Sequence, residues 1–165
     1  MSVPLDPVNV ARTLDRFSEL WTQKKVADLN DYEIKLAKLK GEFVWHAHPE
    51  TDELFLVVSG RLTIRLREGD VVLGPGELYV VPRGVEHCPV AEEETAIMLV
   101  EPAGTLNTGD AGGPMSKAAE ALDQDPFTAR HGGRAVPATS VVTGTVTGTG
   151  PSIFPSEPVL YRPQE

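Results

Sequence analysis

Apolar and polar residues alternate with a period of two from Asn30 to Pro102, which is the pattern of β-strands in an antiparallel sheet. Turn signals such as Ser59-Gly60, Pro75-Gly76 and Arg83-Gly84 divide this stretch into short segments. The predicted strands are YEIKLAKL, FVWHAH, ELFLVV, LTIRL, VVL, LYVVP and AIMLVEP. Many short strands at this spacing indicate an all-β sandwich or barrel.

The strand ELFLVV differs from the others because both of its faces are apolar. Phe55 and Val57 fall on one face, and Leu54, Leu56 and Val58 fall on the other. A strand that is apolar on both faces is expected to be covered on both. One face would line the barrel interior, and the other would need a helix, a second sheet or a second subunit.

The residues before the strands have a helical period instead. The apolar residues that recur at this spacing are Val10, Leu14, Phe17 and Trp21. They predict an amphipathic helix over residues 7–22, within an N-terminal helical segment of residues 1–27. We expect the apolar face of this helix to pack on the sheet.

The composition changes after the predicted barrel domain, which spans residues 28–110. Residues 111–165 contain Gly112-Gly113, Gly132-Gly133 and the run PATSVVTGTVTGTGPS, with few large apolar side chains. This composition predicts a Gly-, Thr- and Pro-rich tail that is largely irregular. The alternating Val and Thr residues of VVTGTVTGT leave an edge strand open as an alternative.

The charge of the chain excludes one class of partners. Its 165 residues carry a formal net charge of -9, whereas binding to a phosphate backbone requires a basic surface. No apolar run reaches the roughly 18 residues that cross a bilayer, and the single cysteine, Cys88, excludes an intrachain disulfide. We therefore expect a soluble, cytoplasmic protein that binds neither nucleic acid nor a membrane.

Histidines and acidic residues concentrate in the stretch GEFVWHAHPETDELFLVVSG. His46 and His48 lie two residues apart on a predicted strand, so both imidazoles should face the same side. His87 lies downstream, just after PRGVE, and Glu53 opens the next strand. Imidazoles and a carboxylate form a mixed nitrogen and oxygen set that suits one divalent transition metal, namely iron, manganese, nickel, copper, cobalt or zinc.

The acidic ligand has competitors in the same turn. Glu50 and Asp52 lie close enough in sequence to reach an ion, but the apolar strand that begins after Glu53 favours Glu53. The other two acids are predicted to be solvated. The fourth histidine of the chain, His131, lies in the predicted tail and is expected to be a free surface imidazole.

The stretch HAHPETDELFLVVSG resembles the first motif of the cupin family, which is His-x-His, a Glu after four residues and a Gly after six more. GELYVVPRGVEH resembles the second motif, with its Gly, Pro, Gly and His in the same order. Residues 28–110 thus resemble a small single-domain cupin, of the kind often labelled mannose-6-phosphate isomerase-like. The resemblance implies a jelly-roll β-barrel with a metal bound inside it by His46, His48, Glu53 and His87.

The resemblance also implies a class of chemistry. A divalent ion with three neutral imidazoles and one carboxylate has a formal charge near +1, which favours anionic, bidentate small molecules. Metal-dependent cupins include dioxygenases, decarboxylases, isomerases and lyases, and a dioxygenase-type metalloenzyme is the leading hypothesis. A sugar or sugar-phosphate isomerase and a non-catalytic binding or sensor protein are the alternatives. The sequence identifies no general acid or base beyond the ligands.

Five residues are candidates to contact a small-molecule substrate: Phe43, Phe55, Tyr79, Arg83 and Met98. Arg83 is the basic residue beside the second motif, whereas a phosphate clamp normally uses several basic residues. The isomerase alternative is therefore the weaker one. Because cupins commonly pair through their outer sheet and ELFLVV is apolar on both faces, we also predict a homodimer.

Overall fold

The computed structural model of the chain describes residues 7–122. Residues 1–6 and 123–165 lie outside this range, and they include most of the predicted tail, His131 and the alternative edge strand VVTGTVTGT. Among the described residues, no helix is both long and apolar enough to span a bilayer. The cytoplasmic location is a separate matter and stays a prediction.

The described part consists of one short helix and a series of strands. The helix α1 is Val10–Leu14. The strands are β1 Lys24–Leu29, β2 Tyr32–Glu42, β3 Glu53–Ser59, β4 Leu62–Leu66, β5 Gly69–Leu73, β6 Leu78–Val81, β7 His87–Pro102 and β8 Glu120–Ala121. Within residues 111–122, the two residues of β8 are the only regular structure, and they pair in parallel with the start of β1.

Strand β7 organises the sheet because its 16 residues pair with three other strands. Its first part, His87 to Val90, pairs with β4, and its later part pairs with β3 through Val100. Strand β2 runs antiparallel along the opposite edge of β7. Strands β5 and β6 extend the sheet from β4 and β3. These pairings confirm the predicted all-β fold.

The core lies on the inner face of these strands. The residues that form it are Ala37, Leu39, Phe55, Val57, Leu62, Ile64, Leu73, Val81, Ala91, Ile97 and Leu99. In β3, Phe55 and Val57 point into this core, while Leu54, Leu56 and Val58 are half-buried on the outer face. Burial of each such side chain contributes about 1.5–3 kcal/mol, so the inner face is the main source of stability.

The predicted N-terminal helix is correct in position and wrong in extent. Helix α1 has only five residues and is capped by Asn9, whose side chain accepts a hydrogen bond from the Arg12 amide. The chain then turns to β2: the amide of Trp21 donates to the Lys38 carbonyl and its indole to the Lys40 carbonyl, each at 2.9 Å. This pairing outweighs the local helical period, and β1 begins within the segment of residues 1–27 that was predicted to be helical.

Two strand predictions also need correction. FVWHAH is not a strand, because only His46 in it forms a β-bridge, to His87. Strand β7 begins at His87 rather than at Ala96, and its early residues carry Pro89 and a run of glutamates that obscure the alternation. The backbone amide of Phe43 instead donates to the Pro89 carbonyl at 2.9 Å. The segment before His48 thus runs beside β7 without joining the ladder.

Candidate metal centre

Four buried side chains converge at one end of the barrel interior: His46, His48, Glu53 and His87. One possible ligand atom from each lies within 4.8 Å of those of the others. We call this group the His/Glu cluster. It contains the residues that the sequence predicted as metal ligands, and the structure brings all of them together.

Backbone pairing explains why the histidines meet although they are distant in sequence. His46 and His87 exchange both backbone hydrogen bonds, at 3.0 and 2.9 Å, and their ring centroids lie 4.2 Å apart. Glu53 is the first residue of β3 and points to the inside of the barrel, like Phe55. The turn between His48 and β3 therefore delivers the carboxylate to the same end of the barrel.

Two backbone carbonyls fix the tautomers of His46 and His87. The Nδ1 atom of His46 lies 2.9 Å from the Val44 carbonyl, and the Nδ1 atom of His87 lies 3.0 Å from the Val85 carbonyl. A carbonyl oxygen only accepts, so each Nδ1 must carry the proton and donate. A neutral imidazole of this kind has its lone pair on Nε2, which is the atom available to a metal.

The Nε2 atoms of His48 and His87 both lie close to the carboxylate of Glu53. Oε2 of Glu53 lies 3.1 Å from Nε2 of His87 and 3.2 Å from Nε2 of His48. The approach of His48 is close but poorly aligned, so its Nε2 is buried without a hydrogen-bond partner. At His87, whose proton is on Nδ1, the Nε2 lone pair faces the carboxylate oxygen, and this contact is repulsive unless a proton or a metal ion lies between them.

The surroundings of the cluster favour a neutral His46 and an ionised Glu53. Burial and the neighbouring His87 lower the pKa of His46 to about 4, so this imidazole is neutral. Burial opposes ionisation of Glu53, but the close imidazoles of His48 and His87 outweigh it and lower the pKa of Glu53 to about 2. Burial opposes protonation of His48, but the nearby Glu53 carboxylate outweighs it and raises the pKa of His48 above its ordinary value.

The cluster therefore fits a divalent transition metal on the chemistry of its donors. Three imidazoles and one carboxylate are borderline ligands that suit such ions, and the unpartnered Nε2 of His48 is a buried donor atom without a protein partner. The competing acids lie elsewhere: Glu50 is exposed, and the Asp52 carboxylate accepts from Arg83 at 2.9 and 3.1 Å.

A buried ion pair lies beside the cluster. The Nζ atom of Lys35 lies 2.9 Å from Oε1 of Glu101, and both side chains are fully inaccessible to solvent. The pairing of Leu54 with Val100 places Glu101 across from Glu53, with both pointing inward. Burial and the charge of Glu53 raise the pKa of Glu101 to about 7, and its Oε2 atom has no hydrogen-bond partner.

Lys35 and Glu101 were not among the site residues predicted from the sequence, although the sequence contains a signal for them. Lys35 has the same parity as the inward-facing Ala37 and Leu39. Glu101 has the same parity as the inward-facing Leu99. Alternation alone therefore places both charges inside the barrel.

A small cavity of about 30 Å³ adjoins the cluster. Its lining residues are Trp21, Gln23, Ala37, Leu39, Phe43, His46, Glu53, Phe55, Pro89, Ile97, Leu99 and Asn107. Two of the five predicted substrate contacts, Phe43 and Phe55, are in this wall. Trp21, which stacks on Phe43 with centroids 4.7 Å apart, was assigned to the helix from sequence.

The other three predicted substrate contacts lie outside the cavity wall. Tyr79 packs against the inner core. Arg83 is exposed and paired with Asp52. Met98 is on the outer face of β7 and packs near α1, because the neighbouring Ile97 and Leu99 point inward.

Comparison with known proteins agrees with this fold. The Cupin domain model matches residues 33–101. The uncharacterized protein YdbB of Bacillus subtilis is 30% identical over 94 residues, which are 56% of this chain and 83% of that protein. The chain therefore belongs to the cupin family, and the predicted jelly-roll fold is confirmed.

Two solved structures extend the likeness. A cupin-2 domain containing protein from Shewanella frigidimarina is 46% identical with a TM-score of 0.57, over 58% of this chain and 93% of that one. Protein NMB1881 from Neisseria meningitidis is 26% identical with a TM-score of 0.55, over 59% of this chain and 100% of that one. The likeness covers the barrel rather than the whole chain.

Proposed function

We propose that the His/Glu cluster binds one divalent transition metal and that the metal-loaded protein converts a small, oxygen-bearing molecule. The observation that carries the proposal is the convergence of two buried Nε2 atoms, the lone-pair atom of His87 and the unpaired atom of His48, on the carboxylate of Glu53. When bound, such an ion supplies a Lewis-acid site for oxygen atoms of a substrate. The reaction that we place first is a dioxygenation.

The cavity supports a small and mostly apolar substrate with a polar group directed at the cluster. Aromatic and aliphatic side chains form most of its wall and exclude water from the cluster. Gln23 adds a polar group that is not part of the cluster, whereas the side-chain amide of Asn107 is engaged by backbone groups. A wall with additional polar groups is better suited to orienting a substrate than a wholly apolar wall, which supports an enzyme over a passive binding protein.

The sugar-phosphate isomerase alternative has less support. None of the described residues that line the cavity is a lysine or an arginine. A phosphate group is normally held by several such side chains. Lys35 is nearby but fully buried and engaged by Glu101, so it is not free to bind a phosphate.

The test separates these functions on one sample. Protein stripped with a chelator is reloaded with each of the six candidate metals and given hydroxy acids, diketones and catechols. We expect oxygen uptake matched to product formation with at least one metal, and none with His48→Ala. Conversion without oxygen uptake supports an isomerase or lyase, and ligand binding without conversion supports a sensor. Absence of metal binding overturns the whole proposal.

We also propose that the chain forms a homodimer through the outer face of β3 and β6. Leu78 and Val80 are 57% and 41% exposed, and the strand register places them beside Leu56 and Leu54. A contiguous apolar patch of this kind marks an interaction site, and a second copy would cover it with the same residues. Leu78→Glu should convert a dimer to a monomer in light scattering; a wild-type monomer at micromolar concentration contradicts the proposal.

A further inference from the structure

The backbone between His46 and His48 is held by a segment that follows β7. The amide of Ala47 donates to Oδ1 of Asp110 at 2.7 Å, and the amide of Asp110 donates to the Ala47 carbonyl at 3.0 Å. Both polar backbone groups of Ala47 are thus occupied by one residue. Because Ala47 is flanked by His46 and His48, these bonds act directly on the backbone of the cluster.

The segment passes so close to Ala47 and His48 that a side chain at position 109 would clash with them. Gly109 has a φ of +49°, and a Cβ atom on it would lie 2.2 Å from the Ala47 carbonyl oxygen and 3.1 Å from Nδ1 of His48. No side chain fits at such a distance. Glycine is therefore required for the segment to reach Ala47.

The segment is itself anchored on its other side. The side-chain amide of Asn107 donates to the carbonyls of Trp21 at 3.3 Å and Met115 at 3.0 Å, and its oxygen accepts from the Lys117 amide at 2.7 Å. Asn107 is also part of the cavity wall. We call residues 107–110 the clamp segment, because they connect the cavity rim to the backbone of the histidines.

The histidine segment needs this support because it lacks a regular strand. His46 is tied to β7 by its bridge, and the His48 carbonyl accepts from the Gly84 amide at 2.9 Å. Ala47 lies between these two points and makes no ladder bond. Without the Asp110 carboxylate, the Ala47 amide would lose its partner, and the Asp110 amide alone would hold the peptides that carry the two imidazoles.

We propose that Asp110 is a positioning residue that holds His46 and His48 in metal-binding geometry through the backbone of Ala47. The proposal rests on the metal-binding function proposed above. Groups that orient metal ligands typically change metal affinity 10- to 100-fold when they are removed. We expect an effect of this size on Co²⁺ affinity from Asp110→Ala.

A pair of variants separates the hydrogen bond from the charge. Asp110→Asn keeps an oxygen that accepts from the Ala47 amide but removes the negative charge, whereas Asp110→Ala removes both. Asp70→Ala is the matched control, since Asp70 is exposed in β5. Co²⁺ affinity should fall about 10- to 100-fold in Asp110→Ala, with a changed visible absorption band, and should stay within about threefold of wild type in Asp110→Asn and Asp70→Ala.

Two results overturn the proposal. Equal Co²⁺ affinity in Asp110→Ala and wild type shows that the clamp does not position the ligands. Equal losses in Asp110→Ala and Asp110→Asn show that charge, and not the hydrogen bond, is responsible. If Asp110→Ala does not fold, Asp110→Leu replaces it, because leucine keeps the approximate shape of the side chain without the acceptor oxygen, and it should show the same loss of affinity while Asp110→Asn does not.

Hydrogen exchange tests the role of the clamp segment even if the wild-type protein binds no metal. Hydrogen exchange of the Ala47 amide should be at least about tenfold faster in Asp110→Ala than in wild type, and unchanged in Asp110→Asn. Absence of Co²⁺ binding in wild type then defeats the proposed function alone. Unchanged exchange in Asp110→Ala defeats the clamp.

Discussion

Replacement of Lys35 by Met should destabilise the barrel, with a pH dependence that is set by Glu101. The two charged groups lie 2.9 Å apart and are fully inaccessible to solvent. Burial and the charge of Glu53 raise the pKa of Glu101 to about 7 even with Lys35 in place. Without the ammonium group, an ionised Glu101 would be buried and uncompensated, which costs about 3–5 kcal/mol.

The sign of the pH dependence follows from the protons bound in each state. A carboxyl with a raised pKa stays protonated in the folded chain while it ionises in the unfolded one, so stability falls as the pH rises from 4.5 to the folded-state pKa. In wild type this fall ends near a pH of about 7. In Lys35→Met it continues, at about 1.4 kcal/mol per pH unit. The variant should thus lose roughly 2 kcal/mol more than wild type between pH ~7 and ~8.5.

Urea unfolding in the presence of a chelator, followed by tryptophan fluorescence, measures this difference. Lys40→Met is the matched control, because the Lys40 side chain is 52% exposed and 3.7 Å from Glu93, and it should change stability by less than about 1 kcal/mol. The double variant Lys35→Met with Glu101→Leu should recover most of the loss. A loss below about 1 kcal/mol, or one that does not grow above pH ~7, refutes the reasoning.

Three further predictions concern a turn and the cluster. Gly60→Ala should lower the free energy of unfolding in urea by about 1–3 kcal/mol more than Gly41→Ala. Both glycines have a φ of +86°, but only at Gly60 would a Cβ atom meet Thr95 Oγ1, at 2.5 Å. Equal losses contradict this. Glu53→Gln should weaken Zn²⁺ binding at least about 100-fold in calorimetry, because the charged ligand is lost; unchanged affinity contradicts it. Burial opposes protonation of His48, but Glu53 raises the pKa, so protons should compete with Zn²⁺ for this imidazole and Zn²⁺ should bind more weakly as the pH falls. Calorimetry in buffers of different ionisation enthalpy checks this, and the absence of proton release argues against it.

Three residues of the cluster could be predicted from short-range spacing, whereas His87, 34 residues beyond Glu53, was included because it fits the second cupin motif. His46 and His48 are separated by one residue, and one turn leads from them to Glu53. The inner and outer faces of β3 likewise follow from alternation. The exact extent of the N-terminal helix could not be predicted, because the hydrogen bonds that draw Trp21 to β2 are not encoded in its local period.

Other parts of the site depend on contacts between distant residues. Alternation places Lys35 and Glu101 inside the barrel, but 66 residues separate them, so only the pairing of β2 with β7 reveals that they meet. The same holds for Asp110, which lies 63 residues from Ala47. Its role depends on how the chain returns over the barrel end after β7, and no local pattern contains that path.

Metal content tests the central claim most directly. Purified protein from metal-replete growth, measured by mass spectrometry for all six candidate metals, should contain about one ion per chain in wild type. His131→Ala, a histidine variant outside the cluster, should match wild type, and His48→Ala should retain less than about a tenth of the metal. Wild-type protein without metal after growth and reconstitution, or His48→Ala with the same content as wild type, would contradict the account.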